Sequence, residues 1–183
     1  ERILYMDCDM IALQDISKLW RLDFGDSIVA AVEDAGFHQR LEKMKISAKS
    51  MRYFNSGLML INVKKWLDEN ITQKVLDFIE HNPEKLRFHD QDALNAILHE
   101  GYIMAKAKKH PTAAGEREYE ETRNNPYIIH FSGHVKPWSK DFEGPTKKYY
   151  EKYAGMTAFR CVAKFPKYPT YAKVQPKTDV VVK

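Results

Sequence analysis

Gly57-Leu58-Met59-Leu60-Ile61-Asn62-Val63 is the longest apolar stretch of the chain. A bilayer span takes about 20 such residues, so this run is far too short to cross a membrane and reads as a central strand. Tyr53-Phe54-Asn55-Ser56 leads into it, and the apolar period then changes. From Lys64 to His81, Trp66, Leu67, Ile71, Val75, Phe78 and Ile79 fall at helical spacing. The same alternation recurs along the chain. Ile3-Leu4-Tyr5-Met6 reads as a buried strand, and Ile16, Leu19 and Trp20 as a short helix with Asp15 as its N-cap. Ser27 to Val32 reads as a second buried strand, ended by Glu33-Asp34. Ala93, Leu94, Ile97 and Leu98 form a helical stripe closed by Gly101. Tyr102 to Ala107 and Tyr127 to Phe131 read as short strands. Strands alternating with helices predict an α/β domain with a mainly parallel sheet flanked by helices.

With 183 residues the chain has room for one core and a small appendage. The expected division is residues 1–144 as the α/β part and 145–183 as a helical, basic and aromatic tail. Phe37 to Arg52, rich in Lys, Arg and Ser, is expected to be a loop with one helical piece. Lys108 to Asn125, bounded by Pro111 and Pro126, reads as a surface loop. Asn82-Pro83 stops the long helix, and Pro145-Thr146-Lys147 opens another that carries Tyr149, Tyr150 and Tyr153. Past Phe165 no periodicity remains. The tail from Tyr149 to Lys183, aromatics interleaved with lysines, reads either as a packed helix with a solvated end or as a peripheral contact to an anionic membrane surface. Glu1-Arg2 leads directly into a strand, so no signal peptide is expected. A chain that opens inside a strand is expected to be the later portion of a larger fold.

The formal net charge is +4, much of it late, at Lys164, Lys167, Lys173, Lys177 and Lys183. Such a balance suits a phosphate-bearing partner. The basic residues are not gathered into a nucleic-acid reading motif, and acids line the expected crevice, so no nucleic-acid partner is expected. Two cysteines, Cys8 and Cys161, make neither a disulfide framework nor a zinc set. That fits a reducing, cytoplasmic compartment, and Cys8 itself reads as a small core residue.

Asp7 and Asp9 close the first strand on one side of the chain, with Cys8 on the other. Two like charges so close are unfavourable without a cation between them. The pair is therefore a candidate divalent-metal site. In open α/β sheets the ligand crevice lies outside the carboxyl ends of the strands. Asp7, Asp9, Asp34, Asn55, Asp90, Gln91 and His130 all fall at element boundaries that could face one crevice. Singly, each has an ordinary reading: Asp34 in a turn, Asn55 at a strand entry, Asp90 as an N-cap, His130 as a satisfied half-buried histidine.

Four stretches in series carry a resemblance: Tyr5-Met6-Asp7-Cys8-Asp9, Phe54-Asn55-Ser56-Gly57-Leu58-Met59-Leu60-Ile61-Asn62-Val63-Lys64-Lys65-Trp66, Asp90-Gln91-Asp92-Ala93-Leu94-Asn95, and His130-Phe131-Ser132-Gly133-His134-Val135-Lys136-Pro137-Trp138. Together they resemble glycosyltransferase family 8, whose members include lipopolysaccharide galactosyltransferases and glycogenin. The resemblance implies a GT-A type, Rossmann-like fold and a retaining hexosyltransferase that uses a UDP-hexose. It matches Asp7, Asp9 and His130 to Mn²⁺ ligands, with Mg²⁺ the alternative ion. Gly133 and Lys136 match diphosphate contacts, and Asn55, Asp90 and Gln91 match positions around the donor sugar. Asp34 matches a further sugar-hydroxyl contact. The family's N-terminal strand–helix half, which holds uridine and ribose, does not precede Asp7 in this chain. Few base contacts are therefore expected from these residues.

Retention is usually assigned to a residue beneath the anomeric carbon, here Gln91, with Asp90 beside it. An amide is a poor nucleophile, so a front-face displacement is expected, with Gln91 acting electrostatically. The acceptor is expected to be a saccharide or a lipid- or protein-linked glycan, which gives a peripheral place on the inner membrane face a rationale. The rival readings are a metal-dependent phosphohydrolase or nucleotidyltransferase, and a non-catalytic sugar-nucleotide-binding protein.

Overall fold

The computed structural model describes residues 1–34, 37, 39–104, 125–157 and 180–182. In chain order its strands are β1 (Arg2–Met6), β2 (Met10–Ala12), β3 (Val29–Glu33), β4 (Phe54–Asn62), β5 (Tyr102–Met104), β6 (Ile128–His130) and β7 (Val180–Val182). Its helices are α1 (Ser17–Trp20), α2 (Arg40–Lys43), α3 (Val63–Asp68), α4 (Ile71–His81), α5 (His89–Leu98) and α6 (Lys147–Ala154).

The apolar run becomes β4, buried without a break from Phe54 to Leu60, as a strand covered on both faces must be. It lies inside a four-stranded sheet of order β1-β4-β3-β5. On one face Phe54 and Met59 join Val29, Ala31, Ile71, Val75, Leu94 and Leu98 beneath α4 and α5. On the other, Leu58 packs with Val32 and Ile128, and Leu60 with Ala30 and Phe24. At its end Asn62 accepts from Lys65 N–H at 3.3 Å and caps α3, which is why helix follows strand without a loop.

The α/β class and flanking helices are as expected. The parallel sheet holds in direction but needs one correction in its pairing. β4 runs antiparallel to both β1 and β3, and β3 pairs parallel with β5, so β1, β3 and β5 point one way with β4 reversed between them. A second sheet, β2-β6-β7, is antiparallel. β1 is covered on one face alone: Leu4 and Met6 pack against the core, while Ile3 and Tyr5, alternating onto the other face, are 54% and 44% exposed. Cys8 is exposed rather than in the core, because the chain turns there instead of continuing as strand. The long helix is two, broken where Asn70 takes a left-handed φ of 51°, and Leu67, expected on the buried side, is exposed.

Phe37 to Arg52 is more than a loop around one helix. Leu41 and Met44 are buried with Tyr53 in a core of their own, lined by Phe37, Ile46 and Ala48. Tyr149 and Tyr150 of α6 pack on Ile129, Phe131 and Phe142 against the second sheet. The expected loop 108–125 lies outside the described residues except for Asn125, as do residues 105–107 of the expected strand and tail residues 158–179. Among the described residues no helix is long and apolar enough to cross a membrane.

Candidate functional site

Because β1 ends at Met6 and β2 begins at Met10, the chain crosses from one sheet to the other within Asp7-Cys8-Asp9. Met10 N–H closes the turn on the Asp7 carbonyl at 3.2 Å. The turn is pinned on both sides. Asp7 N–H donates to the Gly57 carbonyl at 2.8 Å, and Phe131 N–H donates to the Asp9 carbonyl at 2.9 Å. His130, paired with Met10, is thereby set beside both carboxylates. One ligand atom from each of Asp7, Asp9 and His130 lies within 4.8 Å of the others.

His130 Nε2 is 3.2 Å from Asp9 Oδ1 and 3.6 Å from Asp7 Oδ2. Even so, among the described residues Asp9 Oδ1 is buried without a hydrogen-bond partner, and so is His130 Nδ1. Orphaned buried polar atoms are uncommon and call for a reason. Lone pairs turned toward a shared cation supply one for Asp9 Oδ1. Burial alone would push the Asp9 carboxyl up, but the approach of His130 and Lys136 outweighs it and holds the group down at about 2. Lys136 Nζ sits 2.5 Å from Asp9 Oδ2 and 2.8 Å from the Phe131 carbonyl. The room between these groups exists because residue 57 is glycine. A Cβ there would lie 2.6 Å from both Asp7 Oδ2 and His130 Cε1, and 2.9 Å from Asn55 Oδ1. The donor set and this cradle fit a divalent cation.

A second group adjoins the first. The β3–β4 register jumps from Ala31 opposite Met59 to Val32 opposite Asn55, which leaves Ser56, Gly57 and Leu58 out of that ladder. Irregularities of this kind re-aim groups beside active sites. Here the released Ser56 N–H donates to Gln91 Oε1 at 3.2 Å, and Gly57 N–H to Asn55 Oδ1 at 3.0 Å. Asn55 Nδ2 also donates to Gln91 Oε1 at 3.2 Å, while Gln91 Nε2 donates to Asp34 Oδ2 at 3.3 Å. A backbone N–H can only donate, so the Gln91 amide has one orientation that satisfies these neighbours. Ser56 Oγ donates to Asp90 Oδ2 at 3.2 Å.

α5 carries Asp90 and Gln91 and is locked in place by two buried side chains. Asn95 accepts from Phe54 N–H at 2.7 Å and donates to the Phe54 carbonyl at 2.8 Å. Asp92, fully buried, accepts from Arg40 at 2.6 and 2.8 Å and from the Tyr53 hydroxyl at 2.7 Å. It also accepts from Arg87 and Phe88 N–H, both at 2.7 Å. Burial pushes the Asp92 carboxyl up, but these donors together bring it below its ordinary value.

Of the residues expected at the site, Asp7, Asp9 and His130 therefore form one group, with Lys136 attached through Asp9. Asp34, Asn55, Asp90 and Gln91 form another. The two meet at Asn55 and Gly57. Gly133 is half-buried in the bend between His130 and Lys136. Sequence reasoning missed Tyr5, whose hydroxyl donates to Asp7 Oδ1 at 2.9 Å, and Ser56. It also gave no role to Asp92 and Asn95. Their signal was polarity inside an apolar stripe, and that of Tyr5 was a hydroxyl two residues before Asp7.

The chain is similar to known proteins. General stress protein A of Bacillus subtilis (strain 168) is 44% identical over 176 residues, 88% of this chain and 61% of the relative. A lipopolysaccharide 1,2-glucosyltransferase of Escherichia coli (strain K12) is 28% identical over 162 residues, 82% of this chain and 48% of the relative. The chain thus spans about half to three fifths of the length of these curated relatives. The galactosyltransferase LgtC, solved in complex with donor and acceptor sugar analogs, matches with a TM-score of 0.69 at 24% identity. That match covers 86% of this chain and 62% of LgtC, and it shows the GT-A fold. The model of glycosyl transferase family 8 matches residues 1–141, and the chain belongs to that family.

Proposed function

We propose that the protein is a retaining hexosyltransferase that moves glucose or galactose from a UDP-sugar to a saccharide or glycoconjugate acceptor. The observation that carries this reading is the meeting of two groups at Asn55 and Gly57. One is an acidic and imidazole cluster suited to a cation; the other is an amide and carboxylate cluster suited to sugar hydroxyls. A phosphohydrolase or nucleotidyltransferase has no need of the second group.

Asp7, Asp9 and His130 would hold Mn²⁺ or Mg²⁺. Bound there, the ion would offset charge on the departing diphosphate. Lys136, held beside Asp9, would supply a point charge to the same diphosphate, while Gly133 would let the backbone approach it. Asp34 and Asp90 present carboxylate oxygens to donor-sugar hydroxyls, and Asn55 orients Gln91. Gln91 Oε1 is already held by Asn55 Nδ2 and Ser56 N–H, which makes an amide oxygen a still weaker nucleophile. The reading is therefore a front-face displacement in which Gln91 lends a fixed dipole to the positively charging sugar carbon. The names of the relatives agree with a hexose donor. The basic, aromatic tail is proposed as the contact to a membrane that carries lipid-linked acceptors.

The test is UDP release by the full-length protein with Mn²⁺ and a panel of UDP-sugars. Release from UDP-glucose or UDP-galactose, abolished by chelator, is expected. Binding of these donors without release of UDP from any of them would leave a sugar-nucleotide-binding protein instead.

A further inference from the structure

The two carboxylates of the acidic cluster are held very differently. Asp9 is clamped by Lys136, and its side chain is 11% exposed. The Asp7 side chain is 37% exposed, and among the described residues the Tyr5 hydroxyl gives it its one side-chain hydrogen bond. That bond divides the labour of the carboxylate. Oδ1 accepts from Tyr5 at 2.9 Å, while Oδ2 faces His130 Nε2 at 3.6 Å and the space over Gly57. A half-exposed carboxylate with free torsions would otherwise spend much of its time turned to water.

Among the described residues Tyr5 belongs to no buried hydrophobic cluster. In β1, Leu4 and Met6 turn inward to the core, whereas Tyr5 points outward and is 44% exposed. Tyr5 stands near the end of β1, two residues before Asp7 opens the turn, and from there its hydroxyl reaches Asp7 Oδ1.

We propose that Tyr5 is a positioning residue for the cation site: its hydroxyl fixes the Asp7 carboxylate so that Oδ2 points at the position shared with Asp9 and His130. The inference rests on the metal reading above. Groups that hydrogen-bond a metal ligand from behind typically change metal affinity by 10–100-fold when removed.

The experiment is Mn²⁺ titration of the full-length protein, followed by the electron paramagnetic resonance signal of free Mn²⁺, with and without UDP. Wild type, Tyr5→Phe and Asp9→Asn are compared, and each is melted in excess chelator. Tyr5→Phe is expected to weaken Mn²⁺ binding roughly tenfold while its melting temperature in chelator stays at the wild-type value. Unchanged Mn²⁺ affinity in Tyr5→Phe would overturn the proposal. So would a loss of affinity matched by a lower melting temperature in chelator, which would mark a folding role. If wild type binds no Mn²⁺, or Asp9→Asn binds it as tightly as wild type, the metal reading itself fails and takes this role with it.

Discussion

Gly57 brings no functional group, yet it sets how closely the ligands can gather. The Cβ of an alanine would meet Asp7 Oδ2 and His130 Cε1 at 2.6 Å. Asp7 can swing toward solvent, but the His130 ring is buried and paired into β6, so the accommodation falls on the cation site. Gly57→Ala is expected to weaken Mn²⁺ binding by roughly tenfold or more, on the scale of lost ligand support, and to lower the melt in chelator as well, because the buried His130 ring must shift. Calorimetric titration checks it; wild-type affinity would mean that the cradle is not where the ion sits. At this scale the sequence was informative wherever a motif named the chemistry, as for Asp7, Asp9, His130 and Gln91. It was silent about Ser56, because a register jump between two strands is what turns its N–H toward Gln91, and no residue type announces that.

The elements show the same division. β4 and the start of α3 were legible because their causes are local: a doubly apolar run, then Asn62 as cap. The segment from Phe37 to Arg52 was not, because what orders it is distant. Arg40 of α2 pairs with Asp92 of α5, 52 residues away, and Tyr53 shares the same carboxylate. Removing one member of a buried ion pair leaves the other charge uncompensated and costs about 3–5 kcal/mol. Arg40→Met should therefore unfold at clearly lower urea than wild type at pH 7. The pH dependence has a definite sign. Burial pushes Asp92 up, but Arg40, the Phe88 N–H and Tyr53 more than offset it and leave it lowered. Its stabilisation is thus complete above the unfolded value of about 3.9 and lost as pH falls from there through the folded value. In Arg40→Met that acid-side loss should shrink. An acid limb as steep as that of wild type would show that other carboxylates control it.

Across the whole molecule, the proposed cation site is also the seam between the two sheets. Asp7 and Asp9 lie on the crossing from β1 to β2, and His130 comes from β6. A cation bound to all three would tie the sheets together and bind the folded state alone. At 100 times its dissociation constant, such a ligand adds about 2.7 kcal/mol. For a domain of this size that is roughly 5–10 °C in melting temperature. Lys136 makes the prediction sharper. Its ammonium already neutralises Asp9 at 2.5 Å, so in chelator it stands in for part of the missing charge. Lys136→Ala should accordingly melt lower than wild type in chelator, yet gain more from Mn²⁺, because the cation no longer shares Asp9 with a lysine. The same variant should bind UDP more weakly, since the diphosphate loses its point charge. Thermal melts with chelator, with Mn²⁺, and with Mn²⁺ plus UDP separate the three effects. An equal Mn²⁺ gain in both proteins would show that the ion and Lys136 do not meet at Asp9, and the seam would then be held by the lysine alone.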